Sequence, residues 1–191
     1  SQSLQEEINR RKAEEKRRMA LERALAGPLA EGRITLQNGR IGIRGSVLFA
    51  LNSDKLQPEG RQLVKSLVEP LTVYLGERDD LLMVSGFTDD LAINEENRQY
   101  EDNWDLSAQR ALTVTRALIE YGMPPDVVFA AAFGKHQPKA PNTDAASRAK
   151  NRRVEIAPVP KHSAAKLPPQ PMRQGKSEKG RSPVDTDAGN P

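Results

Sequence analysis

The run Leu81-Leu82-Met83-Val84-Ser85-Gly86-Phe87 is almost wholly apolar, and amphipathic segments of helical period stand on both sides of it. A strand of this kind is buried on both faces, and nothing shorter than a helix layer covers it. Upstream, Leu63, Val64, Leu67, Val68, Leu71 and Leu75 recur at helical spacing after Pro58-Glu59-Gly60, with Pro70 expected to kink or split the helix. Downstream, Leu106, Ala111, Val114, Leu118 and Ile119 mark a second helix that stops at Tyr121-Gly122-Met123-Pro124-Pro125. A chain built this way folds as α+β, with helices on one face of a small mixed sheet.

Other segments complete the pattern. Residues 33–37 and 40–44 flank Asn38-Gly39, a pair suited to a tight hairpin turn with positive φ, and the strand pattern resumes through Val47-Leu48-Phe49. Val127 to Phe133 reads as a strand, Asp144 to Lys150 as a short helix, and Arg153-Val154-Glu155-Ile156 as a last, alternating strand. Before this domain, residues 1–30 read as a charged connector helix. Its Glu6–Arg10, Glu7–Arg11 and Glu14–Arg18 pairs are in the favourable order, and Gly27-Pro28 ends it. Its sparse Leu4, Ile8, Met19, Leu21 and Leu25 make no sustained heptad stripe. After residue 158 the composition turns to Pro, Lys, Ser, Gly and Gln. Residues 159–191 are therefore expected to be a disordered basic tail, leaving 31–158 as the domain.

Composition excludes several functions. Cysteine is absent, which removes disulfides, thiolate metal sites and cysteine nucleophiles and fits cytoplasm and periplasm equally. The net charge of +3 on 191 residues is too small to argue for nucleic acid. No apolar run spans a bilayer and no signal-peptide pattern is present. The acids of 89–102 match no calcium loop, so neither metal nor cofactor is expected. With only His136 and His162 and no base beside Ser107, the chain reads as a binder and not an enzyme.

The candidate chemistry lies at the end of the buried strand. Asp89 follows Gly86-Phe87-Thr88, where open sheets with helices place ligands. Arg110 lies on the second helix, which Asn103, Asp105 or Ser107 caps. Two readings fit the Asp89/Arg110 pair: a structural salt bridge, or a clamp for a ligand carrying both an amine and a carboxylate. Arg148, Arg152 and Arg153 form a second basic group around Asn151. Arg152 and Arg153 point to opposite sides, so one supports the site or both belong to a strand-edge charge cluster.

Three motifs in order, Gly86-Phe87-Thr88-Asp89, Asn103-x-x-Leu106-Ser107-x-x-Arg110-Ala111-x-x-Val114 and Arg148-Ala149-x-Asn151-Arg152-Arg153-Val154-Glu155-Ile156, resemble the OmpA/MotB C-terminal domain family over about residues 45–158. The resemblance implies a β-α-β-α-β α+β sandwich that binds peptidoglycan non-covalently. In that family the residues matching Asp89 and Arg110 hold the diaminopimelate of the stem peptide. Asn103, Asn151 and Arg152 would complete or brace the pocket, and Thr88 would add a hydroxyl or backbone contact. Phe87 stands where histidine or tyrosine is frequent. The long segment between Asp89 and Asn103, the Asn103-Trp104-Asp105-Leu106-Ser107-Ala108 run and the charged connector look more like the MotB stator branch. That branch implies a periplasmic homodimer tethered to the inner membrane of a Gram-negative bacterium. A transmembrane helix before Ser1 would join it to a channel subunit of an ion-driven flagellar motor. The alternative is an outer-membrane lipoprotein or porin-type cell-wall anchor.

Overall fold

The computed structural model describes residues 1–76, 78–93 and 99–161. The chain runs through α1 (Gln2–Ala24), α2 (Ala26–Ala30), β1 (Thr35–Gln37), β2 (Arg40–Arg44), α3 (Gly45–Leu48) and α4 (Pro58–Gly76). It continues through β3 (Asp80–Phe87), α5 (Asn103–Glu120), β4 (Val128–Gly134), α6 (Ala145–Asn151) and β5 (Arg153–Pro160). The five strands form one mixed sheet in the order β1-β2-β5-β3-β4, with β3 and β4 parallel and the other pairings antiparallel. The expected α+β sandwich is the observed one.

Alternation along the strands sorts the sheet into two faces. Ile41, Ile43, Leu82, Val84, Val154 and Ile156 join Leu63, Val64, Leu67 and Leu71 of α4 and Ala111, Val114 and Leu118 of α5 in one core cluster. Helix α5 lies so close to β3 that a Cβ at Gly86 would collide with the Ser107 carbonyl. This contact fixes where the first turns of α5 stand relative to the end of β3. The β1–β2 turn uses Asn38 (φ 53°) and Gly39 (φ 76°), as the Asn-Gly pair requires.

Several local expectations are corrected. Of the two outcomes expected at Pro70, a kink or a split, the split does not occur: α4 runs unbroken from Pro58 to Gly76. Buried leucines on both sides of it sit in the same core, and their packing outweighs the roughly 3 kcal/mol of an interior proline. Residues 47–49 do not extend the hairpin as a strand. Past Arg44 the Gly45 amide bonds the Arg152 carbonyl at 2.8 Å and the chain turns into α3, leaving only a Phe49–Leu56 bridge. Gly27-Pro28 does not end the connector. Helix α1 stops at Ala24, and Pro28 sits in the first turn of α2, where its missing N–H has no helical partner to lose. The charged connector also reaches the core, where its Leu21 and Leu25 are buried. Strand β5 continues to Pro160, past the expected domain end. Residues 162–191 of the expected tail lie outside the described residues.

Candidate functional site

The site is assembled where β3, α5 and the entrance to β5 meet. Beyond Phe87 the Thr88 amide bonds the Gly134 carbonyl at 2.8 Å, which prolongs the β3–β4 contact by one residue. The Thr88 hydroxyl is buried and donates to the Asp89 carbonyl at 2.9 Å. Asp89 is itself 7% exposed. Its Oδ1 accepts from the Leu91 amide at 3.1 Å and its Oδ2 pairs with Arg152 Nη1 at 2.6 Å. Asn103 ties this turn to α5, donating from Nδ2 to the Leu91 carbonyl at 3.0 Å and to the Asp89 carbonyl at 3.4 Å. The cap of α5 is none of the three expected residues: Asp102 accepts from the Asp105 amide at 2.8 Å. That leaves the Asn103 amide free to brace the site.

Arg110 lies two turns into α5 and is 8% exposed. Its Nε donates to the Ser53 carbonyl at 3.0 Å and its guanidinium sits 5.0 Å from the Phe49 ring centroid. Among the described residues no ion pair within 4.0 Å reaches it, so the Asp89–Arg110 salt bridge does not form. Burial lowers its pKa from the ordinary arginine value and nearby Arg152 adds to this, while Tyr100, Asp54 and Asp89 pull the other way. The group stays charged. It is a buried cation held by a carbonyl and a ring face, and among the described residues no carboxylate comes within ion-pair distance of it.

Tyr100 and Asp54 were not among the expected site residues. Tyr100 is buried, and burial, together with the charge of the neighbouring Asp54 carboxylate, pushes its pKa up. Asp54, Ser53 and Phe49 come from the α3–α4 connection, more than fifty residues before Arg110, and no spacing rule links them to it.

Of the other expected site residues, Asn151 is fully buried and fully used. Its Oδ1 accepts from the Lys139 and Ala140 amides at 2.8 and 2.9 Å, and its Nδ2 donates to the Ala140 carbonyl and Asn142 Oδ1 at 2.8 Å each. It holds the 135–142 loop against α6 and has no hydrogen-bonding capacity left for a ligand. Arg152 and Arg153 do point apart. Arg153 lies 3.9 Å over Phe87 on the sheet face away from the helices and pairs with Glu155. Phe87 stacks on Phe133 with centroids 4.9 Å apart, so it is a packing residue. Arg148 reaches Asp90 Oδ1 at 3.1 Å and the Asn142 carbonyl at 3.1 Å. Among the described residues no group of three or more His, Asp or Glu side chains is placed to hold a metal ion, and no helix is long and apolar enough to cross a membrane.

The model of the OmpA family matches residues 48–152, more than half of the chain and the stretch that carries Asp89, Asn103, Arg110, Asn151 and Arg152. The chain belongs to the OmpA family. Among curated proteins, Motility protein B of Bacillus subtilis is 31% identical over 135 residues, covering 70% of this chain and 50% of that protein. The chain thus spans half the length of that relative. Two solved structures share the fold at 28% identity each. A MotB-like protein from Desulfovibrio vulgaris superposes with a TM-score of 0.67 over 78% of this chain and 95% of its own. The cell wall anchor of the T6SS from Pseudomonas aeruginosa does so with 0.62 over 71% and 94%.

Proposed function

We propose that this OmpA-family domain binds peptidoglycan without covalent chemistry, through the diaminopimelate of the stem peptide, and anchors a MotB-like, ion-driven stator to the cell wall. The observation that carries the reading is Arg110, a buried guanidinium with no ion pair among the described residues, beside the buried carboxylate of Asp89. A buried charge is expensive unless it is matched, and an incoming carboxylate matches it with two parallel hydrogen bonds. Asp89 then takes the ammonium of the same amino acid. Thr88 and Asn103 hold the Asp89 turn in place, Asn151 braces the 139–142 loop, and Arg152 pairs with Asp89.

The likeness to Motility protein B and to a MotB-like structure supports a stator role. That role brings a periplasmic location, a homodimer, and attachment to an inner-membrane channel subunit through a helix encoded before Ser1. The likeness to the cell wall anchor of the T6SS supports a second reading, the same anchor serving a secretion complex. The clamp is common to both.

Co-sedimentation with purified peptidoglycan tests the binding reading. Asp89→Ala or Arg110→Ala each removes one partner of a charge-assisted contact, expected to cost on the order of 3 kcal/mol, a loss of a hundredfold or more. Both variants are expected in the supernatant with an unchanged circular dichroism spectrum. Pelleting of both at wild-type levels would overturn the site.

A further inference from the structure

Away from the Asp89 site, the end of the sheet where β1 begins, β2 stops and β5 starts borders an open cavity of about 240 Å³. Its lining includes Arg33, Arg44, Lys139, Lys150 and Arg153, and no aspartate or glutamate among the described residues. It shares none of Asp89, Asn103, Arg110, Asn151 and Arg152, so its chemistry is independent of the peptidoglycan reading. Antiparallel pairing sets Arg44 directly opposite Arg153, and two guanidinium groups therefore leave neighbouring strands on one face. Like charges in that position repel and cost stability unless an anion lies between them. Glu155 pairs with Arg153 at 3.2 Å and Glu31 with Arg33 at 2.8 Å. Arg44, Lys139 and Lys150 have no carboxylate within 4.0 Å among the described residues. Gly42 keeps the hollow open: the Thr35 hydroxyl leans over it, and a Cβ there would come within 2.6 Å of that oxygen. Lys139 is held at the rim by Asn151, whose Oδ1 accepts the Lys139 amide at 2.8 Å.

We propose that this cavity is a second binding site, for the phosphate of a phosphate ester. The cations arrive from β2, the 135–142 loop, the end of α6 and the start of β5. Tetrahedral phosphate oxygens point in different directions and are shared among donors that come from different elements. A planar carboxylate instead fits a single guanidinium fork and leaves the other cations unmatched. A phosphate seated between Arg44 and Arg153 relieves their repulsion, and Lys139 and Lys150 supply further positive charge at the rim. A phospholipid headgroup and a soluble phosphate ester offer this same chemistry. Arg44, Lys139 and Lys150 are exposed, so solvent screens each contact and the affinity is modest.

The test uses the full chain and two probes at low ionic strength. Glycerol 3-phosphate is titrated by calorimetry, and vesicles of phosphatidylcholine with phosphatidylglycerol are used in flotation, against vesicles of phosphatidylcholine alone. Arg44→Gln combined with Lys139→Gln is the site variant, and both side chains are exposed, so its circular dichroism spectrum should match the wild type. Lys150→Gln tests the same site from a third element. Lys176→Gln combined with Arg181→Gln removes as much charge from the basic C-terminal segment and serves as the control. Binding of either probe is expected to weaken about tenfold in the site variant, to weaken less in Lys150→Gln, and to stay unchanged in the control. Binding to the vesicles alone then assigns a lipid surface, and binding of the ester alone a soluble ligand. Equal weakening in the site variant and the control would mean attraction by net charge and overturn the site. Affinity unchanged in both the site variant and Lys150→Gln, or a wild type that binds neither probe, overturns it as well.

Discussion

Each charged group around Asp89 has a defined place, and the partners are not those that sequence proximity suggests. Asp89 and Arg110 stand in the two nearest motifs, yet Asp89 pairs with Arg152 from the entrance to β5. The positions of Asp89 and Arg110 were legible because strand ends and first helical turns are places that a pattern can identify. The direction of Arg152 was legible only as one of two options, since alternation separates it from Arg153 without saying which enters the pocket. Tyr100, Asp54 and Ser53 were not legible at all. They reach Arg110 through the tertiary path of the α3–α4 connection and the 99–102 segment, with no local periodicity to expose them. Asn151 carries a residue-scale prediction. Its side chain satisfies two buried amides, a carbonyl and a neighbouring amide oxygen. Asn151→Ala should therefore lower the free energy of unfolding by about 2 kcal/mol, seen as an earlier urea midpoint. A midpoint within error of wild type would show that the loop does not depend on it.

Among the elements, those with a strong period were readable and those defined by packing were not. The Asn38-Gly39 hairpin, β3, β4, β5, α4, α5 and α6 all lie within a few residues of their expected places. The short α3 and the break between α1 and α2 escaped, because both follow from where neighbouring backbone groups sit. Leu25 makes the point. As one of five scattered apolar residues on a charged helix it looked incidental, yet it is 0% exposed and lies in the main core cluster. Leu25→Ala should accordingly destabilise the domain by about 3 kcal/mol in urea or thermal unfolding, the cost of a core cavity. A loss under about half a kcal/mol, the usual size of a surface substitution, would return α1 to the role of a solvated connector.

For the whole molecule, one sheet and the helices packed on it form a two-layer body that includes Leu21 and Leu25 from the N-terminal segment. The sheet and helices bring together Asp89 beyond the end of β3, Arg110 on α5 and Arg152 between α6 and β5, so the proposed site depends on the fold as a unit and not on any one loop. The sequence composition of 162–191 offers too little apolar surface to pack, and removal of those residues should leave the melting temperature unchanged. A drop of several degrees on truncation would mean that the tail contributes to the body.

The central claim is that Arg110 is a buried cation awaiting a ligand carboxylate. The side-chain Nε–Hε resonance of Arg110, followed by NMR while a meso-diaminopimelate stem tetrapeptide is added, addresses it directly. The account predicts a saturable shift of that resonance, with the same midpoint as a calorimetric titration with that peptide and abolished by Asp89→Ala. Saturable binding of the peptide with the Arg110 resonance unmoved would contradict it.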